Sequence, residues 1–223
     1  MWLALKVKGV PVASWSSAQP LNFRPQFVTF CLLCIGLIIF GIGEALLIAA
    51  GAGVSPWTVL SQGIALRTSL SIGWATFLIS ILVLLLWIPL RQKPGLGTIM
   101  NAILIAAALE LSLPYLPHPE AYTLKLLETV AGILMVGIGS GIYLIANLGP
   151  GPRDGLMTGL QRVTGFPIAG VRTSIEITVV VLGWLLGGTV GMGTVLFALG
   201  IGPAVSVGLY TVGALSSNKN LNL

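Results

Sequence analysis

Long apolar stretches alternate with short polar connections along the chain. Six stretches are long enough to cross the hydrocarbon core of a bilayer, which takes about 20 apolar residues in a helix. They cover residues 27–50, 72–90, 96–116, 124–148, 167–186 and 192–214. Two shorter segments, 56–68 and 152–164, would form helices of about 20 Å, too short to span alone. The pattern predicts an all-α, polytopic membrane protein with about six transmembrane helices, or five if one of the weaker stretches (the third and the fifth) lies in the interface.

Composition supports the same class of protein. Only 8% of the 223 residues are charged and 56% are hydrophobic, whereas an ordinary soluble domain is about 25% charged. So few charges cannot cover the surface of a soluble fold, which excludes a soluble enzyme, a nucleic-acid-binding module and a disordered chain. The net charge of +5 is typical of membrane proteins, because their cytoplasmic loops collect Lys and Arg. We therefore expect the protein to interact with the lipid bilayer and not with nucleic acid.

Basic residues are distributed unevenly between the predicted loops. With the N-terminus in the cytoplasm, nine of the 11 Lys and Arg residues fall on the cytoplasmic side, and only Arg67 and Lys125 fall outside. The nine are Lys6, Lys8, Arg24, Arg91, Lys93, Arg153, Arg162, Arg172 and Lys219. This bias predicts that both termini are cytoplasmic, with a leader at 1–25, an exterior linker at 117–123 and a tail at 215–223.

The two halves of the chain, 26–116 and 124–214, are related by an internal repeat. A shift of 96 residues superimposes the glycines and prolines of one half on those of the other. These residue types dictate backbone geometry, which gives the match more weight than its length alone. Each half holds three long stretches and one short segment, and an odd number of spans inverts the second copy. The sequence predicts an inverted-topology repeat, which is common among secondary transporters.

The segment after the first long stretch of each half is the leading candidate site. It reads Gly-Ala-Gly-Val-Ser-Pro-Trp-Thr at 51–58 and Asn-Leu-Gly-Pro-Gly-Pro-Arg-Asp at 147–154. Proline suits the first position of a helix, and serine suits the position that caps it. Each segment therefore aims the positive end of a short helix at an anionic group in front of it. The predicted substrate-binding residues are Gly53, Ser55, Pro56, Gly149, Gly151, Pro152, Arg153 and Asp154.

Other interpretations of these glycine motifs stay open. The two breaks can be plain interfacial turns, with Arg153 and Asp154 forming a local ion pair. A paired Gly-x-Gly-Thr opens the third stretch of each half, at 95–98 and 191–194. It can bind an anion through backbone N–H groups, or it can provide a tight helix entry that packs closely on its neighbours.

Among the carboxylates inside predicted spans, Glu44, Glu110 and Glu176 are the candidates for a functional role. A carboxylate at this depth is costly, so it usually faces a polar cavity or a partner. Glu44 lies a turn or two before the first break, and Glu176 follows Arg172 by four residues, so that the two can pair on one helix face. Glu44 and Glu176 are the predicted ion-coupling residues, whereas Glu110 is close enough to the end of its span to reach the headgroups.

The sequence does not favour an enzyme. The single histidine, His118, falls in the exterior linker, so Ser140 in its Gly-Ser-Gly setting has no histidine base within a span. No Walker-type phosphate-binding motif is present, and no cluster of metal-ligating residues is visible. We expect no catalytic residues, no cofactor and no metal.

The second break continues as Leu-Gly-Pro-Gly-Pro-Arg-Asp-Gly-Leu-Met at 148–157. Together with the weaker first copy at 53–60 and the Gly-x-Gly-Thr at 191–194, this string resembles the YczE/YitT-like bacterial integral membrane proteins, closest to the YczE side. The resemblance covers most of residues 28–213 and implies a bacterial inner-membrane protein with several spans. It implies no established catalytic or binding residues. Family members often carry an acidic residue at the position of Thr58. Because this chain has threonine there, the resemblance does not imply a paired-acid mechanism.

The leading hypothesis is a small bacterial inner-membrane transporter or permease for a small anionic or zwitterionic solute. The two breaks would line a site between the halves, and Glu44 or Glu176 would couple movement to an ion. The alternative is a non-transporting membrane accessory, assembly or sensor protein, which predicts a closely packed interface where transport predicts a cavity. A homodimer is compatible with both hypotheses.

Overall fold

The computed structural model describes residues 10–217. The predictions for Lys6, Lys8 and Lys219, and for the ends of the leader and tail, lie outside the described residues. Within residues 10–217 the chain forms α-helices joined by turns and extended segments. The helices are α1 (Phe27–Ala50), α2 (Pro56–Arg67), α3 (Ile72–Leu86), α4 (Leu96–Ser112), α5 (Tyr122–Ala146), α6 (Pro152–Thr164), α7 (Ile168–Leu185) and α8 (Met192–Ser217). A 3-10 turn, Leu113–Tyr115, extends α4. The predicted all-helical class is confirmed.

Five helices are long and apolar enough to cross a membrane: α1, α4 with its 3-10 turn, α5, α7 and α8. The predicted second stretch is helical only as far as Leu86, and its 15 residues measure about 22 Å, less than the roughly 30 Å of a hydrocarbon core. Helices α2 and α3 meet at 116°, so together they form either a broken sixth span or a re-entrant segment. The structure therefore has five or six candidate spans, as the hydropathy pattern predicts.

Helix starts recur at the spacing of the predicted repeat. Corresponding starts 96 residues apart are Pro56 and Pro152, Ile72 and Ile168, and Leu96 and Met192. The equal spacing of glycines and prolines in the sequence thus coincides with an equal spacing of helix boundaries.

The centre of the molecule is the contact between α1 and α5, with α4 packed on α1 and α8 on α5. Gly36 lies against Gly139, and Gly43 lies against Gly132, where a Cβ built on Gly43 would be 2.9 Å from the carbonyl oxygen. Small residues let membrane helices approach closely in this way. The order of these contacts shows that α1 and α5 are antiparallel, so the breaks that follow them lie on opposite sides of the bundle.

Each break lies beside the start of a long helix from the other half. On one side, the Gly97 N–H donates to the Leu148 carbonyl at 2.7 Å; on the other, the Gly193 N–H donates to the Ala52 carbonyl, also at 2.7 Å. We call these the α5–α6 side and the α1–α2 side. At the α1–α2 side, the last residue of α2, Arg67, donates to a carbonyl at the end of α7.

Residues 10–25 fold over the α5–α6 side. The Ser17 N–H donates to the Ala146 carbonyl at 3.0 Å, and the Ser17 carbonyl accepts from the Asn147 side chain at 2.8 Å. The Trp15 indole N–H donates to Ser216 Oγ, near the end of α8, at 3.0 Å. The first and last parts of the described chain therefore lie on the same side of the bundle.

Candidate functional site

The two breaks adopt the same sequence of backbone conformations. Helix α1 is followed by Gly51 and α5 by Asn147, both in the left-handed region with φ of 65° and 52°. Two residues later, Gly53 and Gly149 have φ of 113° and 111°, which a residue with a Cβ rarely adopts. Each chain segment then enters its short helix with proline as the first residue, in agreement with the sequence prediction.

The Gly-x-Gly-Thr motifs hold the breaks in place. Their N–H groups donate to the break carbonyls described above, and Thr98 Oγ1 donates to the Pro150 carbonyl at 2.7 Å. A Cβ on Gly53 would lie 2.8 Å from Thr194 Oγ1, and one on Gly149 would lie 2.9 Å from Thr98 Oγ1. The structure therefore supports the interpretation of these motifs as tight helix entries, because the protein's own carbonyls occupy the donors that an anion would need.

A cavity of about 260 Å³ lies between the two halves, and all eight helices contribute to its wall. The predicted site residues that line it are Glu44, Ser55, Pro56, Gly151, Arg153, Asp154 and Glu176. The other three lie outside the wall: Gly53 and Gly149 belong to the contacts just described, and the Pro152 carbonyl accepts from the Trp87 indole at 3.0 Å. The structure thus brings residues from both breaks to a single space.

Glu44 lies in the wall on α1 and is only 1% exposed. Its Oε2 accepts from Ser55 Oγ at 2.8 Å and from Thr58 Oγ1 at 2.6 Å. The two hydroxyl oxygens are 2.9 Å apart. The predicted ion-coupling residue is therefore tied to the start of α2.

The start of α6 faces the start of α2 across the cavity. Arg153 Cζ lies 5.2 Å from the ring centroid of Trp57, which is within the range of a cation–π contact. Each of these two residues is the second of its short helix. Asp154 accepts from the Tyr143 hydroxyl at 2.8 Å. Arg153 and Asp154 thus have different partners, and they do not form the local ion pair considered from the sequence.

Glu176 pairs with Arg172 one turn away on α7, with 2.8 Å between Nε and Oε1. The four-residue spacing predicts this pair. The side chains are 27% and 50% exposed, respectively, so solvent screens the interaction and it contributes at most about 1 kcal/mol. Of the two predicted ion-coupling residues, Glu44 is therefore the buried one, and it makes no salt bridge with a basic residue in the described part of the chain.

Three polar residues escaped the sequence reasoning. Tyr143 and Asn101 line the cavity, and the available signal for both was a polar group inside an otherwise apolar stretch. Glu128 is a further carboxylate inside a predicted span, the fourth. Both of its carboxylate oxygens are buried without a hydrogen-bond donor among the described residues, although Glu128 is not part of the cavity wall.

The wall offers charged groups of both signs and several hydroxyls, which suits the binding of a polar solute. Between residues 10 and 217, no group of three or more His, Cys, Asp and Glu side chains is placed to hold a metal ion.

Comparison with known proteins identifies relatives along most of the chain. It is 45% identical over 210 residues to an uncharacterized protein of Haemophilus influenzae, covering 94% of this chain and 95% of that protein. It is 32% identical over 166 residues to the uncharacterized membrane protein YczE of Bacillus subtilis, covering 74% and 77%. The uncharacterized protein YyaS of Bacillus subtilis is 29% identical over 167 residues, covering 73% and 83%. No solved structure matches.

The similarity to YczE confirms the resemblance predicted from the second break. A family profile, described as a family of unknown function (DUF6198), matches residues 27–209, a range that contains both breaks and every residue of the cavity wall. The chain is a helical membrane protein and belongs to this DUF6198 family.

Proposed function

We propose that this protein transports a small zwitterionic solute across the bacterial inner membrane, by means of an inverted repeat with both termini in the cytoplasm. The observation that carries the proposal is the cavity of about 260 Å³ between the halves. Pockets for drug-sized ligands measure about 300–1,000 Å³, so this one suits a smaller metabolite. An accessory protein would have a packed interface at this place, and the presence of a cavity favours transport over that alternative.

The charges of the wall favour a zwitterion within the predicted anionic or zwitterionic class. The Arg153 guanidinium and the facing N-terminal ends of α2 and α6 attract a carboxylate or a similar anionic group. Asp154 is exposed and accepts one hydrogen bond from Tyr143, which leaves acceptor capacity for an ammonium group. A solute with both groups satisfies the two sides of the site at once.

The edges of the two halves differ in a way that alternating access requires. In the first half, α3 packs on α4, and the Gly73 N–H donates to Glu110 Oε2 at 2.9 Å. In the second half, the corresponding residues are Ala169, which is exposed, and Ser206, which is half-buried, and α7 makes no comparable contact with α8. We take the edge between α7 and α8 as the open access route. In an inverted repeat, an exchange of the two edge conformations would open the opposite side.

Uptake into proteoliposomes tests the proposal. A panel of labelled small zwitterions, anions and cations is offered to the wild-type protein, to Arg153→Gln and to Arg162→Gln. We expect at least one zwitterion to enter, and Arg153→Gln to reduce its uptake at least about tenfold through loss of a charge-assisted contact. Arg162 is the matched control, because it lies on the same helix but bonds to the Leu90 carbonyl outside the cavity wall.

Two outcomes would contradict the proposal. In the first, no member of the panel enters faster than it enters empty liposomes. In the second, a solute enters but Arg153→Gln and Arg162→Gln reduce its uptake equally, so that the cavity is not the route. Thermal unfolding of each purified variant in detergent shows whether it is folded.

A further inference from the structure

Glu44 has an unused oxygen atom. Its Oε2 accepts two hydrogen bonds, whereas Oε1 is buried and has no hydrogen-bond donor among the described residues. An ionised carboxylate has room for about four hydrogen bonds and loses its water on burial. Oε1 therefore lacks the hydrogen-bond donor that a buried carboxylate oxygen needs, and a proton bound to Oε1 would remove this need.

The charges around Glu44 also favour a proton on this residue. Its side chain makes no ion pair with a basic residue in the described part of the chain. The ionisable groups that share the cavity wall with it are Tyr143 on α5, Arg153 and Asp154 on α6, and Arg172 and Glu176 on α7. Three acids thus face two arginines, and a proton on Glu44 would make the wall neutral. Arg153 attracts the Glu44 carboxylate through space but makes no salt bridge with it, so burial still penalises the charge of Glu44, and protonation removes that charge.

The geometry favours a proton over a metal cation such as Na⁺. The oxygens of Glu44, Ser55 and Thr58 lie 2.6–2.9 Å from each other, which is the distance of O–H···O hydrogen bonds. The hydroxyl hydrogens of Ser55 and Thr58 point to Oε2, and the three oxygens are too close together to hold a metal cation between them. A proton needs no such space, since it binds directly to Oε1.

From this bonding pattern, burial and charge count, we infer that Glu44 Oε1 is a proton-binding site and that H⁺ is the ion coupled to solute movement. An O–H bond forms at Oε1 when the cavity is open to one side, and the proton returns to water on the other. The positive end of α2 and the two hydroxyls at Oε2 stabilise the ionised form, so that both forms are accessible. The coupling role rests on the proposed transport function, whereas the proton site does not.

Infrared difference spectroscopy tests the proton site without a substrate. The purified protein in liposomes is perfused alternately with mildly acidic and mildly alkaline buffer, and the C=O stretch of a protonated carboxyl is recorded. We expect this band in the wild type, its loss in Glu44→Gln and its retention in Glu120→Gln, in which an exposed carboxylate outside the cavity wall is removed. Glu44→Gln keeps the size and the acceptor oxygen of the side chain, and thermal unfolding checks that it is folded.

Four outcomes would overturn all or part of the inference. A spectrum that is identical in wild type and Glu44→Gln shows that Glu44 does not change protonation. A band that disappears when Na⁺ replaces K⁺ shows that the site takes the metal cation. A band that behaves as expected in a protein that fails the uptake test leaves the proton site in place and rejects its coupling role. Uptake without the Glu44 band rejects proton coupling alone and leaves the transport proposal standing.

Discussion

The two halves build the same junction between a long helix and a short one, but they place the acid on opposite elements. In the first half, Glu44 on α1 accepts from Thr58 on α2. In the second half, Asp154 on α6 accepts from Tyr143 on α5. At the 96-residue spacing, Asp154 corresponds to Thr58, and Ser140 corresponds to Glu44. The backbones are nearly alike, but the acid lies on the other element, and the hydroxyl that donates to Asp154 comes from Tyr143, which corresponds to Leu47.

The two acids differ in their exposure to solvent. Glu44 is 1% exposed, whereas Asp154 is exposed. A buried acid depends on protein donors or on a proton, because water does not reach it, and an exposed acid keeps water as a partner and can exchange it for a solute. Equal backbone geometry therefore places one acid in a buried environment and the other in an exposed one, and our proposals assign the proton to the first and a charged group of the solute to the second.

The largest expected effect on stability comes from substituting the glycines at which the two breaks share a backbone conformation. We expect Gly53→Ala and Gly149→Ala each to lower the free energy of unfolding by about 2–3 kcal/mol, since both combine a positive φ with a crowded Cβ position. Chemical unfolding in detergent, followed by tryptophan fluorescence, measures the loss. Gly170→Ala is the control, because nothing lies within 4 Å of a Cβ there and alanine favours a helix. Equal stability of Gly53→Ala and Gly170→Ala would refute the close approach of the halves.

The difference in burial between Glu44 and Asp154 can be tested by removing the hydroxyl that donates to each acid. We expect Thr58→Val to lower the free energy of unfolding by about 1–3 kcal/mol, because it removes a donor from a buried acid. Tyr143→Phe should lower it by less than about 1 kcal/mol, because water can replace the phenol at Asp154. The same unfolding measurement decides between them. Similar losses in the two variants would mean that the acids have similar surroundings.

The smallest expected effect on stability comes from the edge of the first half, where α3 packs on α4. Glu110→Gln weakens the hydrogen bond from the Gly73 N–H, and we expect a local loss of about 0.5–1.5 kcal/mol. Amide hydrogen exchange should then be faster at the start of α3 and unchanged elsewhere. Ser206→Ala alters the corresponding position of the open edge, where Ser206 Oγ bonds only within α8, and should leave exchange unchanged. Faster exchange throughout the Glu110→Gln protein would show that Glu110 supports the whole fold instead of one edge.

Helix boundaries follow closely from the sequence because local chemistry sets them. The first short helix was predicted at 56–68 and forms at Pro56–Arg67, and the second was predicted at 152–164 and forms at Pro152–Thr164. Proline at the first position and glycine or serine before it define these starts without help from distant residues. The predicted second span ends early, at Leu86, since hydropathy continues past the point where Pro89 favours a helix end.

The site was only partly predictable, because a linear pattern does not show which way a side chain points. Glu44 and Arg153 were singled out as a costly charge and a break residue, and both line the cavity. Gly53 and Gly149 were grouped with them, but they hold the backbone against the other half. Tyr143 was missed because a single tyrosine in an apolar helix gives no signal until Asp154 from the next helix is placed beside it.

The sequence by itself determined the membrane class, the helices and the two breaks, because hydropathy, glycine and proline act on the chain locally. Only the tertiary structure decided that the short helices face each other, that Arg153 lies over Trp57 and that Glu44 keeps an oxygen without a donor. These features depend on the antiparallel packing of α1 on α5, which brings residues about a hundred positions apart into contact. Burial then decides which of the few charged groups is costly, and that cost singles out Glu44.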